Sequence, residues 1–150
     1  MADPVISNPV VAACEKYWDA YKDDCSGFAG AVAGELGILL AGQANDIVDL
    51  MGTFWWHTLS DGAAANIHAI LGYFVIGGLK KNPGNGHVVV VVPGEVNQGK
   101  YPTGYWGSLG GVGKKATTIN WSWNATDRDK VKYAYYIFKP TGGPPAFKFR

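Results

Sequence analysis

Apolar residues recur at three- and four-residue steps over the first third of the chain, then give way to short apolar runs and two-residue alternation. Val10, Val11, Cys14, Tyr17, Trp18 and Tyr21 fall on one stripe and predict a helix over 10–21. Asp23-Asp24 supplies cap chemistry for a second helix from Cys25 to Leu36, on which Cys25, Phe28, Val32 and Leu36 share a side. Gly27, Gly30, Gly34 and Gly37 run along nearly the opposite side. A helical glycine costs about 1 kcal/mol relative to alanine. The stripe therefore predicts close approach by another backbone and a helix buried on two sides. A shorter helix follows over 44–51, capped by Asn45 or Asp46, and residues 54–69 read as partly helical.

From Tyr73 the period changes. Strands are expected over 73–79, 87–92, 105–109, 119–123 and 131–138, with a turn cluster at Asn82-Pro83-Gly84-Asn85-Gly86. The valine run after His87 suits a strand covered on both faces, because branched side chains favour the extended backbone. Trp121 and Trp123 alternate with polar residues and are expected to face the core; a glycan-gripping row of indoles is the competing reading. Helices first and strands afterwards predict an α+β fold in which N-terminal helices pack on a mainly antiparallel sheet. The whole of 1–150 reads as one domain, with 139–150 a loose tail because Thr141-Gly-Gly-Pro-Pro145 stops a strand.

Composition narrows the function classes. Hydrophobic residues make up 47% and charged residues 17%, so a disordered tail or a coiled coil is excluded. A formal net charge of +1 gives no long-range pull on nucleic acid or an anionic membrane. Glycine numbers 21, about double the usual share, which points to tight turns and close backbone approaches. The longest apolar stretch, Phe28 to Gly42, is broken by Glu35, so no membrane insertion is expected. Met-Ala-Asp-Pro at the start lacks the basic and apolar regions of a secretory signal. Cys14 and Cys25 are too few for a disulfide scaffold or a zinc site, and neither metal nor cofactor is expected. Cys14 reads as a buried helix cysteine without a disulfide.

Cys25 falls where a reactive thiol belongs. The first turn of a helix offers unpaired N–H groups and the positive end of the macrodipole, both of which favour thiolate. Asp24 opposes that shift unless its carboxylate turns away into capping bonds. A core cysteine is the alternative. Among His57, His68 and His87, only His87 opens a strand directly after a flexible turn; the other two read as packed or surface histidines. Alternation places His87 with Val89 and Val91 on one sheet face. If the Cys25–Phe28–Val32 side of the helix packs on that face, sulfur and imidazole meet at one rim and form a nucleophile–base pair. Ser26, Gln43, Asn45 and Asp46 are the candidate groove-lining residues.

Asp24-Cys25-Ser26-Gly27-Phe28 and Gly86-His87-Val88 resemble the cysteine and histidine motifs of NlpC/P60-type papain-like amidases. More narrowly, the chain resembles the first family of type VI secretion amidase effectors. The likeness is carried in order by Asp24 to Gly37, Gln43-Ala-Asn-Asp-Ile-Val-Asp49, Phe74-Val-Ile-Gly-Gly-Leu-Lys80, Gly86 to Val92, Lys100-Tyr-Pro102, Trp106-Gly-Ser108 and Asn124-Ala-Thr-Asp-Arg-Asp129. The resemblance implies a papain-like fold, Cys25 as nucleophile, His87 as general base and acid, and the Cys25 backbone N–H as oxyanion donor. It also implies hydrolysis of the γ-D-glutamyl–meso-diaminopimelate bond of peptidoglycan stem peptides. Partners implied are a cognate immunity protein and a type VI carrier, with a monomeric toxin made in the cytoplasm and delivered to the periplasm of target bacteria. One departure stands out: the family's cysteine near the third catalytic position is absent here. The Trp106 carbonyl or the Ser108 hydroxyl is left to orient His87. A non-catalytic wall-binding module and a cysteine acyltransferase of the same superfamily are the alternative functions.

Overall fold

The computed structural model describes residues 8–140, so all but the first two residues of the tail expected over 139–150 lie outside the described residues. Helix α1 spans Pro9–Tyr21, started by Asn8, whose Oδ1 accepts from the amides of Val10 and Val11, and by Pro9 in the first turn, where a missing N–H costs nothing. Helix α2 spans Cys25–Glu35 and α3 spans Ala44–Leu50. The cap of α3 differs from expectation: Gln43 is the cap residue, and its amide donates to Asp46 Oδ2 at 2.9 Å. Asn45 does not cap; its side chain reaches across to another element.

The partly helical stretch over 54–69 resolves into strand β1 (Trp56–Leu59) and helix α4 (Gly62–Ile70). Strands β2 (Val75–Leu79), β3 (His87–Val91), β4 (Thr103–Trp106), β5 (Lys114–Thr118) and β6 (Lys132–Tyr136) complete a six-stranded antiparallel sheet in the order β1-β6-β2-β3-β4-β5. The α+β reading with helices against an antiparallel sheet is borne out. The strand expected over 119–123 is not formed. Ile119–Trp121 is a 3-10 turn, and the strand lies just before it, at the sheet edge. Its sequence, Lys-Lys-Ala-Thr-Thr, is largely exposed and so lacks the apolar alternation that marks a half-buried strand. Trp121 consequently points outward, 69% exposed, against the expectation of a core tryptophan.

The sheet is covered unequally. Helices α1, α2 and α3 lie on the face that presents Val88, Val90 and Val92, burying Phe28, Val32 and Ile47 completely. Burial of side chains of that size stabilises by about 2–3 kcal/mol each. Helix α4 lies on the other face, where Val89, Val91, Trp106 and Ile119 form a second core. The α2 glycine stripe does not work as expected. Only Gly30 faces another backbone, with Leu40 O 3.1 Å from where a Cβ would sit, and Gly34 is exposed. Gly37 closes the helix instead: at φ +78° it lets Ile38 N reach Ala33 O and Gly37 N reach Gly34 O.

Candidate active site

Cys25 is the first residue of α2. Asp24 caps the helix by accepting from Gly27 N at 3.0 Å, so its carboxylate is turned into the cap as expected. The turn between α1 and α2 is clamped from the far side of the chain, because the amides of Ser108 and Gly113 both donate to Lys22 O, at 3.0 and 2.7 Å. Gly107 permits this approach. A Cβ there would stand 2.2 Å from Tyr21 O and 2.7 Å from Asp24 O.

His87 opens β3, positioned by the 81–86 turn. That turn is held by Asn45, whose side-chain amide donates to Lys81 O (2.9 Å) and Gly84 O (3.3 Å) while its Oδ1 accepts from Lys81 N (3.1 Å). Gly86 must be glycine for the same contact: a Cβ would lie 2.3 Å from Asn45 Oδ1 and 2.6 Å from Leu79 O. Asn45, expected as a substrate residue, thus spends its polar atoms on shaping the strand entrance.

The route by which Cys25 and His87 reach one cleft differs from the one alternation suggested. Helix α2 packs on the Val88–Val90–Val92 face, not on the face of Val89 and Val91. Cys25 and His87 nonetheless line one open cleft of about 490 Å³, because His87 sits at the very start of its strand, where the two faces meet at the sheet's rim. Ser108 and Ser122 line the same cleft. On the Cys25 side it adjoins a pocket of about 50 Å³ with Ser26, Gln43 and Asn45 in its wall. On the His87 side it adjoins a hollow of about 250 Å³ bounded by Lys80, Trp123 and Asp127. Cys25 lines both the cleft and the smaller pocket, and His87 lines both the cleft and the hollow, so together they make a groove across both residues. Asn85 and Leu109 also line it and were not expected.

The group that touches His87 is neither of the two expected. Ser122 Oγ lies 2.5 Å from Nε2, and the Trp123 ring stands edge-on to the imidazole, centroids 5.0 Å apart at 71°. The Trp106 carbonyl instead accepts from Trp18 Nε1 at 3.1 Å. It is also covered by Gly113, whose Cβ would fall 1.7 Å from that oxygen. Ser108 reaches the cleft without hydrogen-bonding the imidazole. Sequence reasoning missed Ser122 because it assigned 119–123 to a strand. The one available signal was a small hydroxyl residue between two tryptophans.

Electrostatics correct a second expectation. Burial pushes the Cys25 thiol up, against the pull of the Val88, Ser26 and Cys25 amides, and the Asp24 carboxylate adds a smaller push in the same direction. Burial also pushes the His87 imidazole down, to about 4. Both shifts favour the uncharged forms, thiol and neutral imidazole, over a preformed thiolate–imidazolium pair. Cys14 is fully buried, unpaired and also shifted upward by burial. His57 and His68 lie away from the cleft in an aromatic cluster with Tyr135. Among the described residues no group of three metal-ligating side chains occurs, and no helix is long and apolar enough to cross a membrane.

No family model matches the chain. It is, however, 41% identical over 148 residues, covering 91% of this chain and 95% of the other, to the peptidoglycan amidase Tse1 of Pseudomonas aeruginosa PAO1. The chain belongs to the family of that amidase. The alignment spans nearly the full length of both proteins, so the cysteine and histidine segments fall within it. The amidase-effector resemblance carried by those segments is borne out.

Proposed function

We propose that this chain is a peptidoglycan amidase that hydrolyses the γ-D-glutamyl–meso-diaminopimelate bond of stem peptides by cysteine nucleophilic catalysis. The observation that carries the reading is the placement of Cys25, at the first turn of α2, and His87, at the start of β3, in the wall of one open cleft. Kinship to a peptidoglycan amidase supports the substrate class.

In this reading the substrate carbonyl carbon approaches Cys25 Sγ, and the thiol proton passes to His87 as the carbon–sulfur bond forms. The pair starts neutral, so proton transfer accompanies attack rather than preceding it. The oxyanion is held by the Cys25 N–H, one of the first-turn amides that a helix leaves without an internal partner. Collapse of the tetrahedral intermediate breaks the carbon–nitrogen bond. His87 returns the proton to the departing diaminopimelate amine, and a thioester remains on Cys25. Water, deprotonated by His87, then releases the glutamyl carboxylate and the free thiol. Lys80, Lys81 and Asp127 along the groove suit a substrate that carries both carboxylate and ammonium groups. Delivery by a type VI carrier into a target periplasm, and an immunity protein that seals the cleft, complete the proposal.

Mass spectrometry of digested sacculi tests it. Products with a new diaminopimelate amine are expected from the wild-type chain and none from Cys25→Ala. Intact muropeptides with the wild type, or undiminished cleavage by Cys25→Ala, would refute it.

A further inference from the structure

We propose that Ser122 is the positioning residue of this site: its hydroxyl oxygen accepts the Nε2 proton of His87 and so keeps Nδ1 unprotonated and turned toward the cleft shared with Cys25. The inference rests on the amidase reading and deepens it. The two groups come from segments 35 residues apart in sequence and meet at 2.5 Å. Their meeting is built in by the fold. Ser122 follows the 3-10 turn Ile119–Trp121, whose Ile119 is fully buried and donates its amide to Pro102 O at 2.9 Å. Ser122 N in turn donates to Ile119 O at 2.9 Å, which fixes the hydroxyl's origin relative to β4. The Trp123 edge closes one side of the imidazole, so the ring has little room to rotate away from the bond.

The direction of the bond follows from chemistry. A neutral imidazole carries one N–H and one lone pair, and a hydroxyl can serve either nitrogen as donor or acceptor. If Ser122 donated to Nε2, the ring proton would sit on Nδ1 and the histidine would face the thiol with nothing to accept its proton. With Ser122 accepting, Nδ1 presents the lone pair. After proton uptake both ring nitrogens carry protons, and the Nε2–H···Oγ bond persists unchanged. Serine brings no charge, so it orients the ring without adding a buried carboxylate that would hold the proton on the imidazole.

Nitrogen-15 spectra of histidine-labelled protein near neutral pH test the assignment without reference to turnover. His87 is expected with its proton on Nε2; a proton on Nδ1 overturns the proposal. Muropeptide kinetics give the second arm. Ser122→Ala is expected to lower kcat roughly tenfold or more with KM within about twofold, and Ser122→Thr, which keeps the hydroxyl, to recover most of the loss. A Ser122→Ala enzyme with wild-type kcat, or a Thr variant as impaired as Ala, overturns it. Failure of the wild-type chain to cleave muropeptides would instead sink the amidase reading, and the spectra would still decide the role of Ser122.

Discussion

His87 and His68 sit against opposite regions of the sheet, and the contrast separates a histidine prepared for chemistry from one that serves packing. His68, on α4, donates Nδ1–H to Ala64 O one turn back along its own helix (2.9 Å), and its ring stacks on Tyr135 with centroids 4.5 Å apart at 18°. Its needs are met locally, by a backbone carbonyl and an aromatic face. His87 is held instead by a side chain distant in sequence, stands at the lip of an open cleft, and shares that cleft with a cysteine. Both rings are half-buried. The origin of the hydrogen-bond partner and the surroundings of the ring distinguish them.

The largest expected effect breaks the comparison most directly. His87→Ala should lower kcat/KM on muropeptides by about 10³-fold, the scale of a lost general acid–base. His68→Ala should leave turnover within about threefold while lowering stability by roughly 1–2 kcal/mol, from the lost stack and hydrogen bond. Muropeptide kinetics and urea denaturation of both variants check it, and the comparison fails if the two behave alike.

Acid stability sharpens it next. His87 titrates at about 4 in the fold against an ordinary 6.5. Above pH 6.5 the imidazole is neutral in folded and unfolded chains, and the difference has no effect. As pH falls from 6.5 towards 4, the unfolded chain takes up a proton that the folded one refuses, so stability drops by up to about 3 kcal/mol. Urea midpoints across this window should fall less steeply for His87→Asn than for the wild type. Parallel slopes would remove His87 as the cause.

The smallest effect concerns how His87 is presented. Asn45→Ala removes three hydrogen bonds to the 81–86 turn, and because the site is largely solvated the expected cost is about 1–2 kcal/mol. The accompanying loss of kcat, on the order of tenfold, should exceed what stability alone explains, because the start of β3 loses its register. Amide exchange over residues 81–87 measures the loosening directly.

Much of this was legible in the sequence, for identifiable reasons. The α1 stripe, the Asp24 cap and the valine strand each obey one strong local rule, and the structure keeps them. The strand expected over 119–123 did not form, because alternating tryptophans imitate a half-buried strand where the chain forms a 3-10 turn. That single error concealed Ser122, whose role depends on where the turn ends. Alternation placed His87 correctly with Val89 and Val91. It does not report which face receives α2, which packs on the opposite face with Val88, Val90 and Val92. The expected thiolate shift failed similarly. A helix start favours negative charge, yet at Cys25 the desolvation imposed by neighbours distant in sequence outweighs it.

The contact of Gly107 and Gly113 with the α1–α2 turn bears on biosynthesis. Cys25 and His87 emerge from the ribosome well before the segment that clamps Lys22 O, and Ser122 emerges later still. A partly made chain therefore carries both reactive groups without the fastening that sets one against the other. The cell that makes this protein meets a finished site only once the chain through β6 has been translated and that strand can pair between β1 and β2.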